Sequence, residues 1–186
     1  MTDEVDVEAE PTVLPRRSQV EPFVAYKVVS LNFKAGKVTI AGSWSEVDTD
    51  TVAECRAYPK PDPPHAAPDP DCTCGFWALS ERPSMSSYSP ILATVELFGT
   101  VIHGEKGYRA NRQRITRIDI DPTCVMCDVV GDTRRGADAL YAKFGGEITK
   151  LCAGHGSASA GINALERLEV DQVADILGIP VAWGLK

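Results

Sequence analysis

Cys124-Val125-Met126-Cys127 and Cys152-Ala153-Gly154-His155 are two potential ligand pairs of matching spacing. A CxxC turn offers two sulfurs to one ion without strain, and a second pair can complete the tetrahedral thiolate and imidazole shell that zinc takes. The alternatives are a disulfide framework built from the six cysteines of a secreted chain, or four unrelated residues in a reducing cell. The stretch 1–10 is acidic rather than basic and then apolar, so it does not read as a signal peptide, and that favours metal over disulfides. With all four positions supplied by protein, no place is left for water, and such a closed shell is structural. Chelation should then unfold this part of the chain.

Cys55, Cys72 and Cys74 form a looser second set, with His65 available from a proline-rich loop as a fourth ligand. Thiolates two residues apart can share an ion when the residue between them bulges outward, and Gly75 eases that turn. The plainer reading makes Cys55 a buried core thiol and leaves His65 exposed in its loop. If His65 is not a ligand, three cysteines with water in the fourth position would be the one place for metal chemistry. The expectation carried forward is two zinc ions.

His103-Gly104-Glu105-Lys106-Gly107-Tyr108-Arg109 is a third candidate. His103 beside Glu105, with Tyr108 and Arg109 close by, could be an acid/base or anion-binding site. In the ordinary account the glycines shape a turn, Tyr108 packs on a strand, and Arg109 pairs with Glu96 or Glu105. The sequence carries no nucleophile motif, phosphate-cradling glycine loop or paired-carboxylate signature here, so no catalytic residue is assigned.

The elements that must hold these residues emerge from the apolar pattern. The 186 residues, 44% of them hydrophobic, suffice for one domain or two small ones, and 13 prolines with 15 glycines favour short, β-rich elements. Residues 1–21 read as a disordered acidic leader containing Asp3, Glu4, Asp6, Glu8 and Glu10; they carry most of the net charge of −7. A β-rich domain is expected over 22–121. In it, 24–31 and 38–40 make a hairpin covered by Trp44 and Val52, 58–71 is a loop, 91–102 is a central strand covered on both faces, and 112–120 is a strand or short helix. Over 122–186 the spacing predicts a hairpin of 137–143 and 147–151, a helix over 158–168 and a second over 170–177 stopped by Gly178. The fold class is α+β. No apolar run is long enough to cross a bilayer, and a cytoplasmic protein is expected.

The CxxC turn, the hairpin and the ligand pair opening a helix resemble the treble-clef family of small zinc folds over 124–168. A separate resemblance rests on Cys55, His65, Cys72-Thr73-Cys74-Gly75-Phe76-Trp77-Ala78, Val95-Glu96-Leu97-Phe98-Gly99-Thr100-Val101, His103 and Gly107-Tyr108-Arg109-Ala110. Together these are similar to a module in uncharacterised proteins of actinobacteria and their phages, over about 24–118. The match departs at Gly104, where an acidic residue is expected and the neighbouring Glu105 is the candidate to replace it. The resemblance implies one structural unit and no particular activity.

Three functions are compatible with these features. The leading expectation is a non-enzymatic, zinc-stabilised interaction factor that docks on a host or phage protein. The alternative is a zinc-dependent nucleic-acid binder using Arg109, Arg112, Arg114 and Arg117 with Arg134 and Arg135. For that reading, 170–181 resembles the first helix of a helix-turn-helix, with no recognition helix after it. A metal-dependent enzyme comes third.

Overall fold

The computed structural model describes residues 12–13, 21–41, 46–47, 50–56, 64–83, 91–132, 136–142, 146–163 and 165–184. In chain order it forms β1 (Thr12–Val13), β2 (Phe23–Val28), β3 (Ser30–Lys34), β4 (Lys37–Ala41), β5 (Glu46–Val47), β6 (Asp50–Val52), β7 (Phe76–Leu79), β8 (Ile91–Gly104) and β9 (Gly107–Ile120). The chain continues through α1 (Val125–Val129), β10 (Ala139–Ala142), β11 (Ile148–Leu151), α2 (Ala153–Asn163), β12 (Glu166–Leu168), α3 (Val170–Leu177) and β13 (Val181–Trp183). This is the strand-rich α+β composition expected from the sequence. No helix among the described residues is long and apolar enough to cross a membrane.

The chain divides into two units, each assembled from three separated stretches. The first comprises Met1–Tyr26, Asp50–Pro83 and Val95–Arg114. In it β7 lies between β2 and β9, with Tyr26 opposite Leu79 and Trp77 opposite Arg109, while β6 pairs with β9 and β1 with β8. Thr12–Val13 thus form a strand inside the stretch read as a leader; residues 1–11 and 14–20 lie outside the described residues. Small residues allow the strands to approach closely: a Cβ on Gly107 would sit 2.1 Å from the Ala78 carbonyl oxygen. Along β8, Val95 and Leu97 are buried while Glu96 and Phe98 are half-buried. Ile91, Leu92 and Ala93, like Val101 and Ile102, are buried in succession, so the expected strand is covered on both faces at its ends and half-covered on one face between them. Val52, expected to help cover the hairpin, is 60% exposed on β6; Trp44 lies outside the described residues.

The second unit comprises Lys27–Thr49, Ser84–Thr94 and Ile115–Lys186. Its hairpin is β3 with β4, Leu31 facing Ile40, around Ala35 (φ 52) and Gly36 (φ 75). Positive φ at both central residues is what a two-residue turn between twisted strands requires. The expected first arm, 24–31, begins too early, because the Val29 N–H turns aside to the Ile91 carbonyl and separates β2 from β3. Residues 112–120 are strand throughout, as part of β9.

β10 and β11 form the expected antiparallel hairpin, and β12 adds to β10 with Leu168 opposite Leu140. The helix expected over 158–168 instead runs from 153 to 163. Leu168, buried on a third strand, gains more from sheet pairing than from extending a helix whose other residues are small. α3 ends as expected at Gly178, in the left-handed conformation at φ 66, and opens with reciprocal Glu169 and Gln172 capping contacts. The segment 170–181, likened to the first helix of a helix-turn-helix, is helical only over Val170–Leu177; beyond Gly178 the chain straightens, and Val181–Trp183 make a parallel strand beside Ile118–Ile120.

Candidate metal centres

Both Cys/His sets come together. Cys124, Cys127, Cys152 and His155 form one cluster in the second unit; Cys55, His65, Cys72 and Cys74 form another in the first. Within each, one ligand atom per residue lies within 4.8 Å of all the others.

A tetrahedral ion about 2.3 Å from sulfur and about 2.0 Å from nitrogen separates two sulfurs by about 3.8 Å and sulfur from nitrogen by about 3.5 Å. The second unit's cluster fits: Cys127 Sγ is 3.8 Å from Cys152 Sγ, and His155 Nδ1 is 3.5, 3.4 and 3.4 Å from the sulfurs of Cys124, Cys127 and Cys152. The first unit's cluster fits as well, with Cys55 Sγ 3.7 Å from Cys72 Sγ and Cys74 Sγ 3.4 Å from His65 Nε2. A disulfide would need about 2.0 Å between sulfurs. All six cysteines are free thiols, so the disulfide alternative does not hold. His65 belongs to its cluster and is not a bystander, so the expected set of four protein ligands comes together and the three-cysteine alternative with water does not arise.

Local structure accounts for the second unit's cluster. Cys124 caps α1, accepting the Asp128 N–H at its carbonyl, which places Cys127 one turn on. The hairpin returns the chain to Cys152. The Gly156 N–H then bonds the Cys152 carbonyl, and Asp138 Oδ2 accepts the Ala153 N–H, so α2 starts where Cys152 and His155 share one turn. The three cysteines pack in an apolar cluster with Ala139, Tyr141 and Leu151. Gly156 is required by that packing, since a Cβ there would lie 2.1 Å from the Tyr141 hydroxyl.

Burial pushes the Cys124 thiol up, but backbone N–H groups of Cys127 and Cys152 and the His155 ring outweigh it and bring it down to about 6. Burial and the neighbouring Cys124 and Cys152 sulfurs push Cys127 up to about 12. One sulfur is thus ready as thiolate, the form that binds metal. Lys150 lies 1% exposed nearby, its Nζ 3.9 Å from Asp121 Oδ1. Burial lowers its pKa, while the charges of Asp121, Asp128 and Cys124 oppose the shift.

In the first unit's cluster the three cysteines are half-buried. The ligand loop is tied to β9. Asn111 accepts the Ala53 N–H at its carbonyl, and its side-chain amide donates to the Ala67 carbonyl at 3.0 Å. Gly75, at φ 109, has no room for a side chain: a Cβ would meet Pro68 Cβ at 2.9 Å. Burial raises Cys74 to about 11, helped by Cys72 and Cys55, whereas the Cys74 N–H lowers Cys72.

Of the third candidate set, His103 and Tyr108 come together, and Arg109 is engaged elsewhere. His103 stacks on Tyr108 at 5.0 Å and Glu105 is exposed at the turn. Arg109 does not pair with Glu96 or Glu105; it is 8% exposed and donates to main-chain carbonyls of the first cluster's loop, the closest contact being to Cys72. Nor do Arg109, Arg112 and Arg114, the arginines of the expected run in the first unit, make one surface. Strand alternation puts Arg109 on the face of β9 opposite Arg112 and Arg114. Arg117 is paired with Asp119 at 2.7 Å in the second unit, and Arg134 and Arg135 lie outside the described residues. Sequence reasoning missed Arg109 and Asn111 as supports of the metal loop; their spacing of two along a strand was the available signal, but the carbonyls they hold are remote in sequence. Comparison with protein-family models, curated proteins and solved structures finds no match.

Proposed function

We propose that this chain is a zinc-stabilised, non-enzymatic interaction module. The observation that carries the reading is that each cluster supplies four protein ligands at tetrahedral spacing. A shell closed by protein holds structure together and leaves no position for a substrate or an activated water. Free thiols at both clusters suit a reducing, cytoplasmic setting. The succession of short ligand turn, β10–β11 hairpin and ligand-bearing α2 supports a treble-clef-like assignment for the second cluster. The module shared with actinobacterial and phage proteins is part of the same proposal, supported by the convergence of its quoted cysteines and histidine.

Exposed apolar side chains support docking as the activity. Val24, Trp77 and Leu79 are exposed in the first unit, and Met126, Val129 and Val130 on and just after α1 in the second. The nucleic-acid reading is weaker, because Arg109 is withdrawn into the metal loop. An enzyme would need an open coordination position. Elemental analysis with X-ray absorption tests the proposal: two zinc ions per chain, each bound by three sulfurs and one nitrogen, are expected. A water or carboxylate oxygen in either shell would overturn it.

A further inference from the structure

Three thiolates and a neutral imidazole around a divalent ion carry one net negative charge. In a site partly removed from water, such a charge needs a cation held close by. Arg109 is placed to be that cation. Its Nη1 donates to the carbonyls of Asp69 at 3.0 Å and Cys74 at 3.4 Å, and to that of Cys72. The guanidinium lies 5.2 Å from the centroid of Trp77, the residue opposite it across the strands, and Trp77 Nε1–H donates to the Thr73 carbonyl at 3.0 Å. The Cys72-Thr73-Cys74 backbone is therefore gripped by an arginine and the tryptophan on which that arginine stacks. Among the described residues Arg109 makes no ion pair, so a buried, permanently charged group is met by carbonyl oxygens and the Trp77 ring and by no carboxylate.

We propose that Arg109 is the positioning residue of the first unit's metal centre, holding the Cys72-Thr73-Cys74 loop in its binding shape and neutralising the surplus negative charge of the bound ion. This rests on the reading of that cluster as a metal site. The arginine fork matters as well as the charge, since a lysine ammonium cannot span several carbonyls from a fixed plane.

The test is zinc affinity of the full chain by chelator competition, with the second unit's cluster as internal reference. Arg109→Met should weaken the first site by about 10- to 100-fold, the range for lost outer support of a metal ligand, and leave the second unchanged. Arg109→Lys should fall between Met and wild type, and it serves if the Met variant does not fold. A double-mutant cycle separates charge from shape. In Cys55→His the site would be neutral, and there Arg109→Met should cost clearly less than in the native background, the loss that remains being that of the loop contacts. Equal losses in both backgrounds would overturn the charge role, and no loss in either would overturn the proposal. A wild-type chain binding a single ion, at the second cluster, would instead remove the metal reading on which it rests.

Discussion

Gly156→Ala is the sharpest test of how the second unit's metal centre is packed. In an ordinary helix interior this change stabilises by about 1 kcal/mol, because glycine gives up more backbone freedom than alanine. Here the new methyl would lie 2.1 Å from the Tyr141 hydroxyl, 2.3 Å from Cζ and 2.8 Å from Cε2. The ring cannot easily swing aside, since Tyr141 is 5% exposed and packed with Cys124, Cys127 and Cys152. Overpacking of a tight core costs about 1–3 kcal/mol, and an overlap this deep belongs at the upper end. Net of the helix gain, the zinc-loaded chain should lose about 2 kcal/mol, roughly a 30-fold change in the unfolding equilibrium. Urea titration followed by circular dichroism, with released zinc read by a chromogenic chelator, measures it. Tyr141→Leu in the same chain should remove much of the penalty of Gly156→Ala, a coupling that a cycle of the four proteins would show. Unchanged or increased stability in the single variant would refute the packing argument.

Other consequences can be measured as directly. Metal binding at the second unit's cluster must expel the proton that Cys127, pushed up to about 12, retains in the metal-free protein. Affinity should therefore rise with pH from about 6 to about 9, and fall more steeply below about 6, where Cys124 also takes up a proton; a flat profile by chelator competition would contradict this. Cys127→Ser should abolish zinc binding at the buried cluster while the half-buried one keeps its ion, giving one zinc per chain by elemental analysis. A gel-shift titration at low salt with duplex DNA or RNA should show no salt-sensitive complex, and a clear one would revive the nucleic-acid reading.

The cysteine and histidine ligands were legible in the sequence because their chemistry is carried by residue type and spacing. The β10–β11 hairpin and the end of α3 were legible because glycine marks them. The start of α2 was legible only through the treble-clef resemblance, in which the ligand pair opens a helix; the apolar spacing placed the helix at 158–168, because Ala153-Gly154-His155-Gly156 offers no large apolar residue and its fit under the Tyr141 ring and the Asp138 cap on Ala153 come from remote residues. β12 was hidden for a similar reason, since its pairing partner in β10 lies more than twenty residues away. Arg109 read as one of a charge run because the carbonyls that hold it belong to residues 35–40 positions earlier. Hydrogen bonds from side chains to main-chain carbonyls are common, and they leave no trace in the pattern of side-chain types.

The division of each unit into three separated stretches bears on how the chain folds. The first unit cannot close until synthesis has passed Arg114, and the β3–β4 hairpin made early must wait for Ile115–Lys186 to cover it. Contacts of such long sequence separation fold slowly and leave strand edges open in the interval. The cysteines meet the cell's metal pool in an order set by the ribosome: Cys55 to Cys74 emerge well before Cys124 to His155. A scarcity of metal would lengthen the time during which the newborn chain is exposed to aggregation, so the supply of ions would govern the yield of folded protein as well as its final stability.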